Sequence, residues 1–237
     1  MSDWLSFWSK NPKLFGIVMQ KNAVYFADKL LKRKVIQSTD HILDIGCGPG
    51  FLAEQLQDKV SGYYGVDISE NCIQTCRKKF EGKTNIQFMQ IDSADNENSL
   101  VYFEKNTIQF DVIVILSVVQ YFSDIAKVEV LLSNCIKILA PDGKIILADV
   151  IQTEKGLLKD AFSVLVDSIQ KNYFMSFLRF LYEARFSKYN ELRIKNNLLN
   201  IPEEAIEKIC NHLNLQFALM PTCTLQHSRV SYCITAG

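Results

Sequence analysis

The chain has little that would draw a polymeric or membrane partner. Its 26 Lys+Arg balance its 26 Asp+Glu across 237 residues, so no global field gathers nucleic acid or an anionic bilayer, and neither partner is expected. Histidine is scarce, at three residues, and neither these nor the acids are spaced to hold a catalytic metal; metal-independent chemistry is expected. The seven cysteines are odd in number and include no C-x-x-C pair. That excludes an ordinary disulfide framework and suits a reducing compartment, where thiols pack as small apolar groups. Cys72 and Cys76 stand one helical turn apart, but no histidine or second pair accompanies them as zinc would require. No uncharged run reaches the roughly 18 residues of a membrane span. Met1 to Lys10 also lacks the cationic start and apolar core of a secretory signal. A cytoplasmic protein without a membrane span is expected.

What is present suits one α/β domain: at this length roughly 70–75% of the unfolded surface can be buried in one core. The densest signal lies at 41–52. The apolar run Ile42 to Ile45 is a predicted strand, glycines follow at alternate positions (Gly46, Gly48 and Gly50), and Leu52 and Leu56 then share a helical face. A turn without Cβ atoms lets backbone pass within contact of a bound molecule. The helix start beyond it offers unpaired N–H groups and a positive dipole end, worth about 0.3–1 kcal/mol to a nearby anion. A dinucleotide turn spaces its glycines G-x-G-x-x-G. Here the third glycine comes one residue early and Phe51 occupies its place, leaving no room for a pyrophosphate. A tight corner without a ligand would use the same residues, so the rest of the chain must decide.

The run Asp44-Ile45-Gly46-Cys47-Gly48-Pro49-Gly50 resembles motif I of the class I S-adenosylmethionine-dependent methyltransferases. The resemblance implies that the turn lies against the amino acid and ribose parts of S-adenosyl-L-methionine, with Asp44 near its ammonium. A second predicted strand, 62–67, ends in Asp67, seventeen residues after Gly50, about where a βαβ unit returns to the same sheet end. A carboxylate there can accept from both ribose hydroxyls, at roughly 1.5–3 kcal/mol for a charge-assisted bond; Ile68 stands beside it. Ser69 is a predicted N-cap for a helix with Ile73, Cys76 and Phe80 inward. A third strand, 86–91, runs into Asp92-Ser93-Ala94-Asp95. The family pattern puts the adenine amino group on the acid after this strand, giving Asp92, with Ser93 and Ala94 beside it and Asp95 as rival.

The nearly continuous apolar run 110–116 predicts a strand covered on both faces. Its end, Leu116 and Ser117, leads into Val118-Val119-Gln120-Tyr121-Phe122, which resembles motif IV of the small-molecule branch of the family. The Asn/Asp-Pro-Pro-Tyr/Phe signature of amino-group methyltransferases acting on nucleic acid or glutamine is missing. A helix over 124–139 and a fifth strand over 144–150 follow, separated by Pro141-Asp142-Gly143. The segment 139–144 resembles the family's L-x-P-G-G-x, with Asp142 replacing the first glycine. A helix from about Pro202 and two closing strands, 215–220 and 229–235, complete the pattern. The resemblance covers 40–150 well and the C-terminal part by topology only. It implies a seven-stranded, doubly wound, mostly parallel sheet with a C-terminal antiparallel hairpin.

Two regions lie outside that frame. The first, 1–38, reads as an N-terminal helical lid on the main domain, 39–237: Leu14, Ile17, Val18, Val24, Ala27, Leu30 and Leu31 recur at helical spacing, and Trp4, Phe7, Trp8, Tyr25 and Phe26 make it aromatic. These rings either pack on the core edge or meet a substrate or sulfonium, where a cation over a ring gains about 0.5–2 kcal/mol. The second, about 152–200, is a helical insertion with Leu158, Phe162, Leu165, Ile169, Tyr173, Phe177, Leu178 and Leu181 in register. Insertions of this kind lie over strand ends where ligands bind; a substrate cap is the reading adopted, with a homodimer surface and a peripheral membrane helix as its rivals.

The expected reaction is methyl transfer from S-adenosyl-L-methionine, releasing S-adenosyl-L-homocysteine, to an oxygen, nitrogen or carbon of a small metabolite, within a biosynthetic pathway. Aligning donor and acceptor supplies roughly 7–11 kcal/mol, and a protonated acceptor also needs a base. Tyr121, Asp149 and His227 are the candidates at the predicted strand ends. Two other uses fit the same residues: a cyclase or rearrangement catalyst that binds the cofactor, and a non-catalytic binding protein.

Overall fold

The computed structural model describes residues 3–10, 16–94, 96–153 and 157–237. Leu14 and Asp95 lie outside these residues. Five strands run parallel: β1 (His41–Ile45), β2 (Gly62–Asp67), β3 (Ile86–Gln90), β4 (Phe110–Leu116) and β5 (Leu139–Val150). Two more, β6 (Leu215–Met220) and β7 (Val230–Ala236), close the sheet as an antiparallel hairpin with β7 against β5. The order is β3-β2-β1-β4-β5-β7-β6. This is the seven-stranded, mostly parallel sheet expected from the sequence.

Alternation along each strand feeds two cores, one on each face. Leu43, Ile45, Ile113, Ile115, Ile145 and Leu147 pack against α5 (Val101–Lys105), α6 (Ile125–Lys137) and α10 (Glu203–His212). Their neighbours Ile42, Val112, Val114, Ile146 and Ala148 face α2 (Gly16–Lys32), α3 (Phe51–Leu56) and α4 (Glu70–Lys79). Ser69 caps α4, its hydroxyl accepting from the Cys72 N–H, and Ile73, Cys76 and Phe80 are buried as expected.

Helix α2 is woven into this second core through Phe26, Ala27 and Leu30. Ile17 and Val24, expected on the same face, are exposed, because Val18, Asn22, Ala23 and Phe26 form the buried stripe. The boundary near 139 also differs from expectation. Helix α6 stops at Lys137 and β5 begins at Leu139, pairing with Phe110 before a bulge restores register at Val112 and Lys144. Asp142 takes a left-handed φ of 61° in that bulge.

The insertion is three helices rather than one long one: α7 (Leu157–Gln170), α8 (Phe174–Phe186) and α9 (Lys188–Asn196). The chain reverses at Asn172, left-handed at φ 57°. A hydrophobic period read across that break assigns the wrong face. Val164 and Phe177 are buried, whereas Phe162, Ile169, Leu178 and Leu181 are exposed. Val18, Val164, Phe177 and Leu225 form a small third core that joins α2, the insertion and the β6–β7 loop. Helix α1 (Asp3–Lys10) lies on α9, and the Trp4 indole N–H donates to the Asn197 carbonyl at 3.4 Å.

Candidate functional site

A cavity of about 430 Å³ opens beyond the carboxyl ends of β1 and β4. Strand order reverses between these two, which is where open α/β sheets bind their ligands. One half is walled by the β1–α3 turn and the ends of β2 and β3. Asp44, Gly46, Cys47, Gly48, Asp67, Ile68 and Ala94 line it, with Ile91. A Cβ at Gly48, whose φ is +52°, would meet no atom within 4 Å; the turn keeps that space open. Gly50 (φ +81°) has another task. A Cβ there would come within 3.0 Å of Cys76 Sγ and 3.1 Å of Phe80, so this glycine lets α3 pack on α4 and does not line the cavity.

The two acids of this half are tethered differently. Asp67 Oδ2 accepts from the Gly48 N–H at 2.9 Å and Oδ1 from the Ser69 N–H at 2.8 Å, so each oxygen retains lone-pair capacity toward the cavity. Burial raises its carboxyl, and backbone N–H groups oppose the rise. Asp44 accepts from the Tyr63 hydroxyl. Burial pushes it up to about 7, the Tyr63 bond works against this, and Asp67 adds to it.

At the other half, two strand-end residues share an uncommon backbone conformation. Ser117 after β4 and Asp149 at the end of β5 are left-handed, with φ of 60° and 64°. Such strain at non-glycine residues is characteristic of functional sites. It turns the side chains toward each other, and the Ser117 hydroxyl donates to Asp149 Oδ2 at 2.6 Å. Asp149 Oδ1 has no partner among the described residues. Burial raises the Asp149 carboxyl, while Arg229 and the Ser117 hydroxyl pull it down. Tyr121 hydrogen-bonds to Tyr189 of α9 and to Gln120; burial, then Tyr189, then Asp149 hold its phenol well above the usual range. Trp4 and Trp8 pack against it, tilted and edge-on, at centroid distances of 5.2 Å and 5.3 Å.

Of the residues expected from sequence, Leu116, Ser117 and Tyr121 also line the cavity. Asp92 is exposed, and neither it nor Ser93 is a lining residue. His227 is exposed on the β6–β7 loop, while Gln226 and Arg229 on either side line the cavity. Sequence reasoning missed Asp160, Tyr189, Arg193, Gln226 and Arg229, all of them cavity residues. They sit in the insertion and the last hairpin, where no motif marks them, and the Arg229 to Asp160 ion pair (3.0 Å) joins positions far apart in the chain. No group of three or more His, Cys, Asp or Glu suited to a metal occurs among the described residues.

Residues 43–145 match a family described as a methyltransferase domain. The fold is the Rossmann-like fold of S-adenosylmethionine-dependent methyltransferases. The chain is 25% identical over 131 residues to a ubiquinone biosynthesis O-methyltransferase of Coxiella burnetii, covering 55% of this chain and 52% of that protein. It is also 25% identical over 169 residues to the chondramide synthase of Chondromyces crocatus, covering 70% of this chain and 4% of that one. The chain thus spans about half the length of the first relative and a small part of the second. In fold it is similar to an S-adenosylmethionine-dependent methyltransferase from Clostridium acetobutylicum, with a TM-score of 0.59, 15% identity and 98% of each chain covered. No helix among the described residues is long and apolar enough to cross a membrane.

Proposed function

We propose that the methyltransferase moves a methyl group from S-adenosyl-L-methionine to a hydroxyl oxygen of a small biosynthetic intermediate, inside a reducing compartment such as the cytoplasm. The observation that carries this reading is the continuity of the cavity, from the bare turn at Gly48 to the unpartnered oxygen of Asp149.

The residues of the first half suit the donor. Asp44 is a buried carboxylate with no cationic group among its influences, which fits an ammonium. Asp67 fits the ribose hydroxyls, and Ile68, Ile91 and Ala94 fit the flat face of adenine. When bound, the donor supplies a sulfonium methyl that leaves its sulfur as a neutral thioether. The chain's own work is to align, to exclude water and to move one proton.

Asp149 is the base in this reading. Asp149 Oδ1, which has no partner among the described residues, would take the hydroxyl proton of the acceptor as its oxygen is methylated. A carboxylate raised by burial is better matched to this than an exposed one, because a base works best with a pKa near the working pH. Tyr121, held protonated by its surroundings, positions the acceptor with Tyr189. Helix α1 and the insertion close the acceptor half against water. The O-methyltransferase among the relatives favours oxygen as the acceptor atom.

Asp149→Asn tests the assignment. Loss of the base is expected to lower kcat by about 10²–10⁴ while calorimetric binding of S-adenosyl-L-homocysteine stays within about threefold. A variant with unchanged kcat removes Asp149 from the chemistry. Release of S-adenosyl-L-homocysteine in step with product separates methyl transfer from cyclisation on the same site.

A further inference from the structure

The acceptor half of the cavity contains polar atoms that the chain itself leaves unmatched, and they fall into two sets. Asp149 Oδ1 and Gln120 Oε1 are buried acceptors with no partner among the described residues, and the Gln120 amide is oriented by its bond to Tyr121. Groups of this kind call for an O–H or N–H donor. The second set has the opposite character. The Arg229 side chain is 12% exposed and its Nη1 is buried without a hydrogen-bond partner among the described residues. Arg193 of α9 has no ion-pair partner among the described residues.

Charge accounting isolates what the second set needs. Asp160 already holds one donor on each oxygen: Oδ1 accepts from the Ser228 N–H at 2.8 Å and Oδ2 from Arg229 Nε at 3.0 Å. Arg229 is thereby held by Asp160 and is also attracted by Asp149, whose Oδ1 keeps no hydrogen-bond partner among the described residues. The Arg193 charge and the spare Arg229 N–H remain. Both border a recess of about 50 Å³ that shares Asp160, Arg193 and Arg229 with the main cavity and has Asn200, Ser228 and Thr153 around it. Two guanidinium groups on one small recess match a planar carboxylate, since charge-assisted, in-plane N–H donors are what that anion prefers. Trp4, Trp8, Tyr121 and Tyr189 line the same cavity, with Trp4 and Tyr189 centroids 5.3 Å apart. Such walls favour a flat ring over a flexible chain.

We propose that the acceptor is a hydroxylated aromatic acid, its hydroxyl directed to Asp149 and Gln120 and its carboxylate to Arg193 and Arg229. This rests on the methyl-transfer reading and adds the substrate class to it. Arg193 is the specificity-determining residue: it comes from the insertion and makes no ion pair that folding alone requires.

Calorimetry on the full chain saturated with S-adenosyl-L-homocysteine tests this. The probes are 4-hydroxybenzoate, 3-hydroxybenzoate and 4-hydroxyphenylacetate, each against its carboxamide. At least one acid is expected to bind about tenfold or more tightly than its amide. Arg193→Met should remove that advantage and Arg193→Lys should retain part of it. The inference is overturned if acids bind no better than amides, if no acid binds, or if Arg193→Met keeps the preference. Failure to bind S-adenosyl-L-homocysteine at all would instead overturn the underlying donor assignment, so the two failures are distinguishable.

Discussion

Asp44 is a buried carboxylate whose proton is held up to about 7, and that makes donor binding pH-dependent. Its folded pKa lies above its ordinary value of 3.8, so its contribution to stability is fully present below about pH 4 and is lost as pH rises toward 7. A bound ammonium reverses the preference by favouring the ionised form. The thermal shift produced by S-adenosyl-L-homocysteine should therefore grow between about pH 5.5 and 7.5. Asp44→Asn should flatten the trend, and an equal slope in that variant removes Asp44 from ammonium binding. At this scale the sequence was legible where chemistry is local. Gly46, Gly48 and Asp67 belong to one short βαβ stretch and line the cavity together. His227 was misplaced because one residue's step along the β6–β7 loop decides between solvent and cavity. Asp160 and Arg229 carried no signal, since their pairing exists only after the insertion folds onto the hairpin.

The β1–α3 turn and the β2 strand beneath it contain glycines that serve opposite ends. Alanine at Gly48 places a Cβ in open space at a left-handed φ, costing about 1–2 kcal/mol of strain. The expected result is a fall in melting temperature of a few degrees with S-adenosyl-L-homocysteine affinity reduced about tenfold or more. At Gly65 the Cβ would sit 2.6 Å from the Phe88 ring and 2.9 Å from Cys47 Sγ. Overpacking of about 1–3 kcal/mol should make Gly65→Ala mainly a folding defect; differential scanning calorimetry and ligand titration separate the two. Helix α1 has a different signature. Its aromatic face meets Tyr121 and Tyr189, so removing residues 1–10 should raise the acceptor KM about tenfold and leave donor binding nearly unchanged. A matching loss of donor affinity would show that α1 does not belong to the acceptor side alone. Strands and the helices between them were readable because each buries a regular stripe. The insertion was not, because its helices break at Asn172 and pack mostly by one turn of α7 and one of α8, leaving their hydrophobic pattern without a single period.

The molecule as a whole presents an uneven surface. Phe162, Ile169, Met175, Tyr182 and Phe186 of α7 and α8 are all more than half exposed, an apolar concentration larger than scattered surface residues account for. Sedimentation velocity across a concentration range tests the homodimer reading of the insertion: a monomer at every concentration rules that assembly out. The division of the cavity has a further effect. The donor side is made by strands and turns that also carry the central core, while the acceptor side adds to Asp149, Gln120 and Tyr121 at the strand ends residues of α1, the insertion and one hairpin loop, the last two joined at the periphery by the small cluster around Val164 and Phe177. Selection can therefore rewrite what this protein modifies without touching how it is charged with methyl groups, and grafting another relative's segment between Val150 and Ile201 is the shortest route to a new product.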